Sequence, residues 1–160
     1  MEAHEIRHLV VTAMDAAGMS RARGARWFVT SDELTWVFEL DRGAAWSRRA
    51  MTVGAAVRAW TGDEAIRRAN NGHVVVDYAL LGSAVPDEVV GTRFDDHRSY
   101  FTMMFDHTHD LVTVDERLRS FEWMAKDLGH LTQEHTTVDA LRQAVSVGSF
   151  ESGFVDRRLR

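Results

Sequence analysis

Three consecutive segments between residues 26 and 57 repeat their side-chain pattern with a period of two, and this period constrains the fold more than any other feature of the chain. The first two segments, in RWFVTSDELTWVFEL, flank a polar Ser31-Asp32 pair of the kind found in hairpin turns. In the third, RRAMTVGAAVRAW, the positions from Met51 to Val57 alternate between two faces. The pattern predicts an antiparallel meander of three strands.

Helical periodicity flanks this meander on both sides. Residues 2–17 carry apolar side chains three and four positions apart and stop before Gly18, which predicts an amphipathic opening helix. Thr113 and Glu116 form a capping-box pattern ahead of an apolar stripe that reaches Leu128, which predicts a long helix.

Shorter segments complete the predicted order of elements. Thr136 with Asp139 repeats the capping pattern and predicts a helix that ends near Gly148, and Phe150, Phe154 and Val155 suggest a last short helix. Between the meander and these helices we expect a short helix over 62–70, a strand in HVVVDYALL, a loop over 82–96 and a strand in SYFTMMF.

These elements predict one α+β domain over residues 1–160, because no linker or internal repeat divides the chain. We expect an antiparallel sheet of about four or five strands, with the N-terminal helix and the C-terminal helices packed mainly on one face. The predicted core consists of Leu9, Val10, Phe28, Trp36, Phe38, Val53, Val57, Val75, Phe101, Leu118, Phe121, Leu128 and Leu141.

Composition excludes several classes of function. The 160 residues include no cysteine, so thiol catalysis, disulfides and cysteine zinc sites are ruled out. The formal charge of −5 argues against nucleic acid as a partner. The absence of a signal-peptide pattern and of a long apolar window predicts a cytoplasmic protein with no membrane partner. No glycine-rich phosphate motif occurs, and we expect no cofactor.

The order of these parts carries a resemblance. A helix ends in Gly18, a W-F strand and a W-V-F-E-L strand follow, and a C-terminal helix pair closes on the segment from Ser146 to Glu151. This layout resembles a domain-of-unknown-function family of small bacterial α+β proteins. The resemblance implies an α+β fold over most of the chain, and it brings no established catalytic residues.

The segment His4-Glu5-Ile6-Arg7-His8 matches the H-E-x-x-H pattern of zinc enzymes. On a helix the two histidines would share a face, and Glu5 could act as general base. Arg7, however, places a cation beside the metal, and a first helical turn so near the start is prone to fray. We interpret the segment as a solvated helical turn.

A second histidine cluster is the candidate for chemistry. Asp95-Asp96-His97 precedes Asp106-His107-Thr108-His109-Asp110 by ten residues. His97, His107, His109 and Asp110 could form a tetrahedral metal site, which would make the chain a small metal-dependent hydrolase. The same residues also suit an acid–base site without metal, or ordinary turns at the two ends of the strand SYFTMMF.

Aromatic and arginine residues predict a binding surface. Trp46, Arg48 and Arg49 combine a large ring with guanidinium groups, as protein-interface hot spots do, and Trp60 lies in a similar connection. Either tryptophan could instead cap the end of the sheet. Arginine pairs such as Arg67-Arg68 and the segment 157–160 could bind anions.

Because no constellation has both the residue types and the context of catalysis, we predict no catalytic residue. The favoured function is a non-catalytic bacterial domain, of an interaction or immunity type, that binds an unidentified protein partner. The alternative is the metal-dependent hydrolase, and both leave a homo-oligomer open.

Overall fold

The computed structural model describes residues 1–42, 49–61, 66–81 and 97–160, apart from the side chains of Arg42 and His97. Its elements are α1 (Ala3–Ala16), β1 (Ser20–Arg21), β2 (Arg26–Thr30), β3 (Leu34–Arg42), β4 (Arg49–Val57), α2 (Arg58–Thr61), β5 (Val74–Asp77), α3 (His97–Met104), α4 (Val114–Glu134), α5 (Val138–Ser146) and β6 (Phe154–Val155). Single 3-10 turns occupy Ala69–Asn71, Tyr78–Leu80 and Arg157–Leu159. Among these described helices, none is long and apolar enough to cross a membrane.

The strands form one antiparallel sheet of six, hydrogen-bonded in chain order from β1 to β6. The β2–β3 hairpin turns at Ser31, whose N–H donates to Leu34 O at 2.9 Å, as the polar pair predicts. The α+β fold with an antiparallel sheet is therefore confirmed. The strand number exceeds the expected four or five because β1 and β6, of two residues each, extend the two edges.

The helices and the main core lie on one face of the sheet, as predicted. Trp36, Phe38 and Val53 point from the sheet into a core cluster that also contains residues of α1, α3, α4 and α5. None of the thirteen predicted core residues is exposed. Nine are buried, and the other four are half-buried: Leu9, Phe28, Val75 and Leu118.

The opposite face of the sheet is covered by the segment 66–71. Ile66 and Ala69 pack there against Val37 and Ala56. Glu39, only 5% exposed, accepts from Ala69 N–H at 3.2 Å and pairs with Arg68 Nε at 2.9 Å. This buried carboxylate holds the segment against the sheet.

Replacing Glu39 with alanine is expected to lower the free energy of unfolding by about 1–2 kcal/mol, because the buried Ala69 N–H loses its acceptor. The pair with Arg68 adds little, since that side chain is half exposed and screened by water. Urea denaturation measures the change. Glu122→Ala, at an exposed position on α4, is the control and should stay within about 0.5 kcal/mol. Equal behaviour of the two variants would contradict this role of Glu39.

The prediction of a strand in SYFTMMF is wrong, because the described residues from His97 to Met104 form helix α3. Tyr100, Phe101 and Met104 are buried while Thr102 and Met103 are half-buried, which follows a helical period and not an alternation. Phe101 packs edge-to-face on the ring of Tyr78, with 4.9 Å between ring centroids. Burial against neighbouring elements selects the helix.

Two predictions in the C-terminal third are also wrong in detail. Thr113 caps α4 in a capping box as predicted, but α5 is capped by Thr137, one residue later than expected. Contacts with the β2–β3 turn set this boundary, because Thr136 O accepts from the Ser31 hydroxyl at 2.6 Å. The expected last short helix is replaced by strand β6, whose Val155 pairs with Val74 of β5.

The middle of the chain departs from expectation in its helix and in the length of a strand. A helix is expected over 62–70, but residues 66–68 are not helical and a 3-10 turn begins only at Ala69. Residues 62–65 lie outside the described residues. The strand expected in HVVVDYALL ends at Asp77, whose carboxylate accepts from Ala79 N–H at 2.9 Å and starts a 3-10 turn. The loop expected over 82–96 lies outside the described residues.

One arginine is fully buried in the helical layer. Arg117 of α4 has no exposed surface, and its guanidinium donates to the carbonyls of Met103, Met104 and, at 2.9 Å, His109. Burial lowers the pKa of Arg117, which the nearby carboxylates of Asp106 and Glu116 oppose. The side chain thus fastens the end of α3 and the following turn onto α4.

Candidate partner-binding surface

Strand order brings one predicted binding residue next to the C-terminal arginines. β4, β5 and β6 are antiparallel neighbours, with Ala55 paired to Val74 and Val74 to Val155. The residues after β4, before β5 and after β6 therefore meet at one end of the sheet. Trp60 follows β4 in α2, and the 3-10 turn Arg157–Leu159 follows β6.

Trp60 lies between a histidine and an arginine. Its ring meets the His73 ring edge-to-face, with 5.2 Å between centroids and 79° between planes. The Arg158 Cζ atom lies 4.4 Å from the centroid of the Trp60 ring, a cation–π distance. The indole is half-buried, so one part packs against the core and another stays accessible.

Asp156 orients the arginine of this stack. Its carboxylate accepts from Arg158 Nε at 3.0 Å, from Nη2 at 2.8 Å and from the Arg158 N–H at 2.9 Å. Hydrogen bonding from Arg158 holds the pKa of Asp156 well below its usual range and raises the pKa of Arg158. The pair is therefore ionised, and the guanidinium plane is fixed over the indole.

His73 anchors the stack to the sheet. Its Nδ1 accepts from the Val57 N–H at 2.9 Å, and its carbonyl oxygen accepts from the Asp156 N–H at 2.7 Å. Because a backbone N–H can only donate, Nδ1 carries no proton in this arrangement. Burial and the Arg158 charge lower the pKa of His73, and Asp156 partly opposes the shift.

Beyond Arg158 the surface opens into a depression of about 720 Å³ lined by residues 153–158 and Arg160. Phe154 is 60% exposed there, which is unusual for so large an apolar side chain. Arg157 and Arg160 are exposed, and neither has an ion-pair partner within the described part of the chain. We define the Trp60 surface as Trp60, Phe154, Arg157, Arg158 and Arg160.

The other residues predicted to bind a partner do not join this surface. Arg49 begins β4, and Trp60 follows its opposite end, so the strand, about 26 Å long at 3.3 Å per residue, separates the two. The Arg49 N–H donates to Phe105 O at 3.1 Å. Trp46 and Arg48 lie outside the described residues, and their role stays a prediction.

The predicted metal residues are only partly described. His107, His109 and Asp110 lie in the turn between α3 and α4, where Arg117 binds the His109 carbonyl. Within the described ranges, no three His, Asp or Glu side chains are grouped to hold a metal ion. The side chains of Asp95, Asp96 and His97 fall outside those ranges, so a site that includes them stays a prediction.

The H-E-x-x-H segment forms the first turns of α1. His4 and His8 are exposed, and Glu5 closes a capping box by accepting from the Glu2 N–H at 2.5 Å. The Glu5 carboxylate therefore caps the helix, as a first-turn acid commonly does.

A smaller cleft of about 260 Å³ lies beside α4, lined among others by Asp127, His130, Glu134 and His135. The Tyr78 hydroxyl donates to Asp127 Oδ2 at 2.8 Å, and burial raises the pKa of Tyr78 well above its usual value. The phenol therefore stays protonated as the donor, and this hydrogen bond fastens the 3-10 turn after β5 to α4.

Comparisons with known protein families, with curated proteins and with solved structures find no match to this chain. The site is therefore assigned from its geometry alone. Sequence reasoning singled out Trp60 and the arginines of 157–160 separately but missed His73 and Asp156. A lone histidine before a strand and an aspartate after Val155 carry no sequence signal that would join them.

Proposed function

We propose that this chain is a non-catalytic domain that binds a protein partner through the Trp60 surface, as an interaction or immunity-type protein of the bacterial cytoplasm. One observation carries the proposal: the half-buried Trp60 is stacked under an oriented Arg158, and Arg158 lines the same depression as the exposed Phe154. Tryptophan and arginine dominate the energetics of protein interfaces, and preordered side chains lose less entropy on binding. The resemblance to a bacterial family of unknown function stays a hypothesis.

The chemistry of the surface indicates the kind of partner. Three arginines within four residues form a basic patch on a chain of net charge −5. Exposed guanidinium groups bind carboxylates in bidentate pairs, and Phe154 offers an apolar contact beside them. We infer a protein partner with an acidic rim around an apolar side chain. The alternative, a metal-dependent hydrolase at the Asp95 to Asp110 cluster, has no supporting observation within the described ranges.

The double variant Arg157→Glu/Arg160→Glu is expected to weaken partner binding at least tenfold, because it reverses two charges at an interface rim. Tagged wild-type protein first captures the partner from an extract of the source cells, and mass spectrometry identifies it. Calorimetry with the purified partner then gives the dissociation constants.

The matched control is Arg7→Glu/Arg23→Glu, which changes the net charge equally at two exposed sites, one on α1 and one after the opposite edge strand β1. Phe154→Ser tests the apolar contact at an exposed position. Undiminished binding by the Arg157/Arg160 variant, or equal losses in variant and control, would overturn the proposal.

A further inference from the structure

We propose that His73 is a proton sensor for the Trp60 surface: protonation of its imidazole breaks the hydrogen bond from Val57 and loosens the stack of Trp60 and Arg158. The consequence for partner binding rests on the proposed function. The structural switch itself does not.

The geometry of the hydrogen bond carries the inference. Val57 N–H donates to His73 Nδ1 at 2.9 Å, at the end of β4. An imidazolium has N–H groups at both nitrogens and no acceptor, so in the protonated ring the Nδ1–H would face the Val57 N–H and no hydrogen bond could form between them. The ring must then turn, or the backbone must move, and either change disturbs the edge-to-face contact with Trp60, in which 5.2 Å separates the two ring centroids.

The charged groups around His73 also act on this equilibrium. From the segment after β6, Arg158 opposes protonation and Asp156 favours it, with desolvation of the half-buried ring as the largest influence. Arg58, the charged residue of α2, points elsewhere, because its Nη1 donates to Ser31 O at 2.9 Å and to Asp32 O at 3.2 Å. The net effect lowers the pKa of His73 below its ordinary 6.5.

The sign of the pH dependence follows from this shift. Above pH 6.5 the imidazole is neutral in the folded and unfolded chain, and the hydrogen bond contributes fully. As the pH falls below 6.5, the unfolded chain takes up the proton before the folded one does. Stability is lost until the pH reaches the lower pKa of the folded state, where the stack loosens.

Nuclear magnetic resonance of the whole, partner-free chain tests the switch. The Val57 amide and the Trp60 indole N–H signals should titrate together between pH 7.5 and 5.0, with a midpoint below 6.5. In His73→Asn, whose side-chain oxygen can accept the same hydrogen bond without titrating, both signals should stay constant. His130→Asn, at an exposed position on α4, is the control and should titrate like wild type.

Constant wild-type signals, or the same titration in His73→Asn, would overturn the sensor.

A second experiment uses the partner protein that tagged wild type captures and Arg157→Glu/Arg160→Glu does not. The capture of this protein is repeated at pH 5.5. Wild type should retain it several-fold less than at pH 7.5, and His73→Asn equally at both pH values. Stronger retention by wild type at pH 5.5 would contradict the inference. If the Val57 and Trp60 signals titrate but no protein is captured by wild type and lost by Arg157→Glu/Arg160→Glu, the proposed function is overturned and the sensor still holds.

Discussion

Replacing Arg117 with alanine is expected to lower the free energy of unfolding by about 3–5 kcal/mol, a large share of the stability of a domain this size. The guanidinium donates to carbonyls of Met103, Met104 and His109, and its burial is complete. Its removal takes the guanidinium donor from these carbonyls, of which Met103 O still accepts from the Asp106 N–H at 3.2 Å, and opens a cavity between α3 and α4. Thermal unfolding should shift downward by about 6–20 °C.

Two further variants separate the hydrogen bonds from general effects of the substitution. Arg119→Ala removes an exposed arginine from the same helix and should change stability by no more than about 0.5 kcal/mol. Arg117→Lys keeps the charge but lacks the planar fork that reaches several carbonyls, so its stability should lie between wild type and Arg117→Ala. A loss below about 1 kcal/mol in Arg117→Ala would refute this account of the helical layer.

Arg117 also shows why part of the fold was accessible from sequence and part was not. Helix α4 was predictable because its signals are local: the Thr113–Glu116 capping box and a stripe of apolar residues. The same pattern says nothing of a buried guanidinium, because Arg117 meets its acceptors only when α3 packs beside α4. Local signals likewise sufficed for α1 and the meander β2 to β4.

The incorrect predictions concern short segments whose conformation depends on distant contacts. In SYFTMMF the apolar residues fit both periods over so short a run, and contacts of Tyr100 and Phe101 with other elements select the helix. Strand β6 exists because Val155 pairs with Val74, a neighbour far away along the chain. Without β6 there is no reason to place Arg158 beside Trp60, so the candidate site could not be assembled from sequence.

The second large effect is expected at Gly54, where Gly54→Ala should lower the free energy of unfolding by about 2–4 kcal/mol. A Cβ at this position of β4 would lie within 3.0 Å of three backbone atoms of Ala69. Backbone cannot move aside as a flexible side chain can, so the segment 66–71 must lift from the sheet. That movement also withdraws the Ala69 N–H from Glu39. Urea denaturation monitored by circular dichroism measures the loss.

Gly129→Ala is the matched control, because the same substitution should there have the opposite sign. Gly129 lies inside α4, and among the described residues an added Cβ would meet only Met19 Cε, at an ordinary 3.9 Å. Alanine favours a helix over glycine by about 1 kcal/mol, so this variant should be stabilised by up to that amount. If Gly54→Ala were as stable as wild type while Gly129→Ala behaved as expected, the segment 66–71 could not lie against β4. A gain at Gly129 with a loss at Gly54 would instead require the close approach of β4 and the segment 66–71. Alanine lowers the entropy of the unfolded chain at both positions, so this effect alone would stabilise both variants.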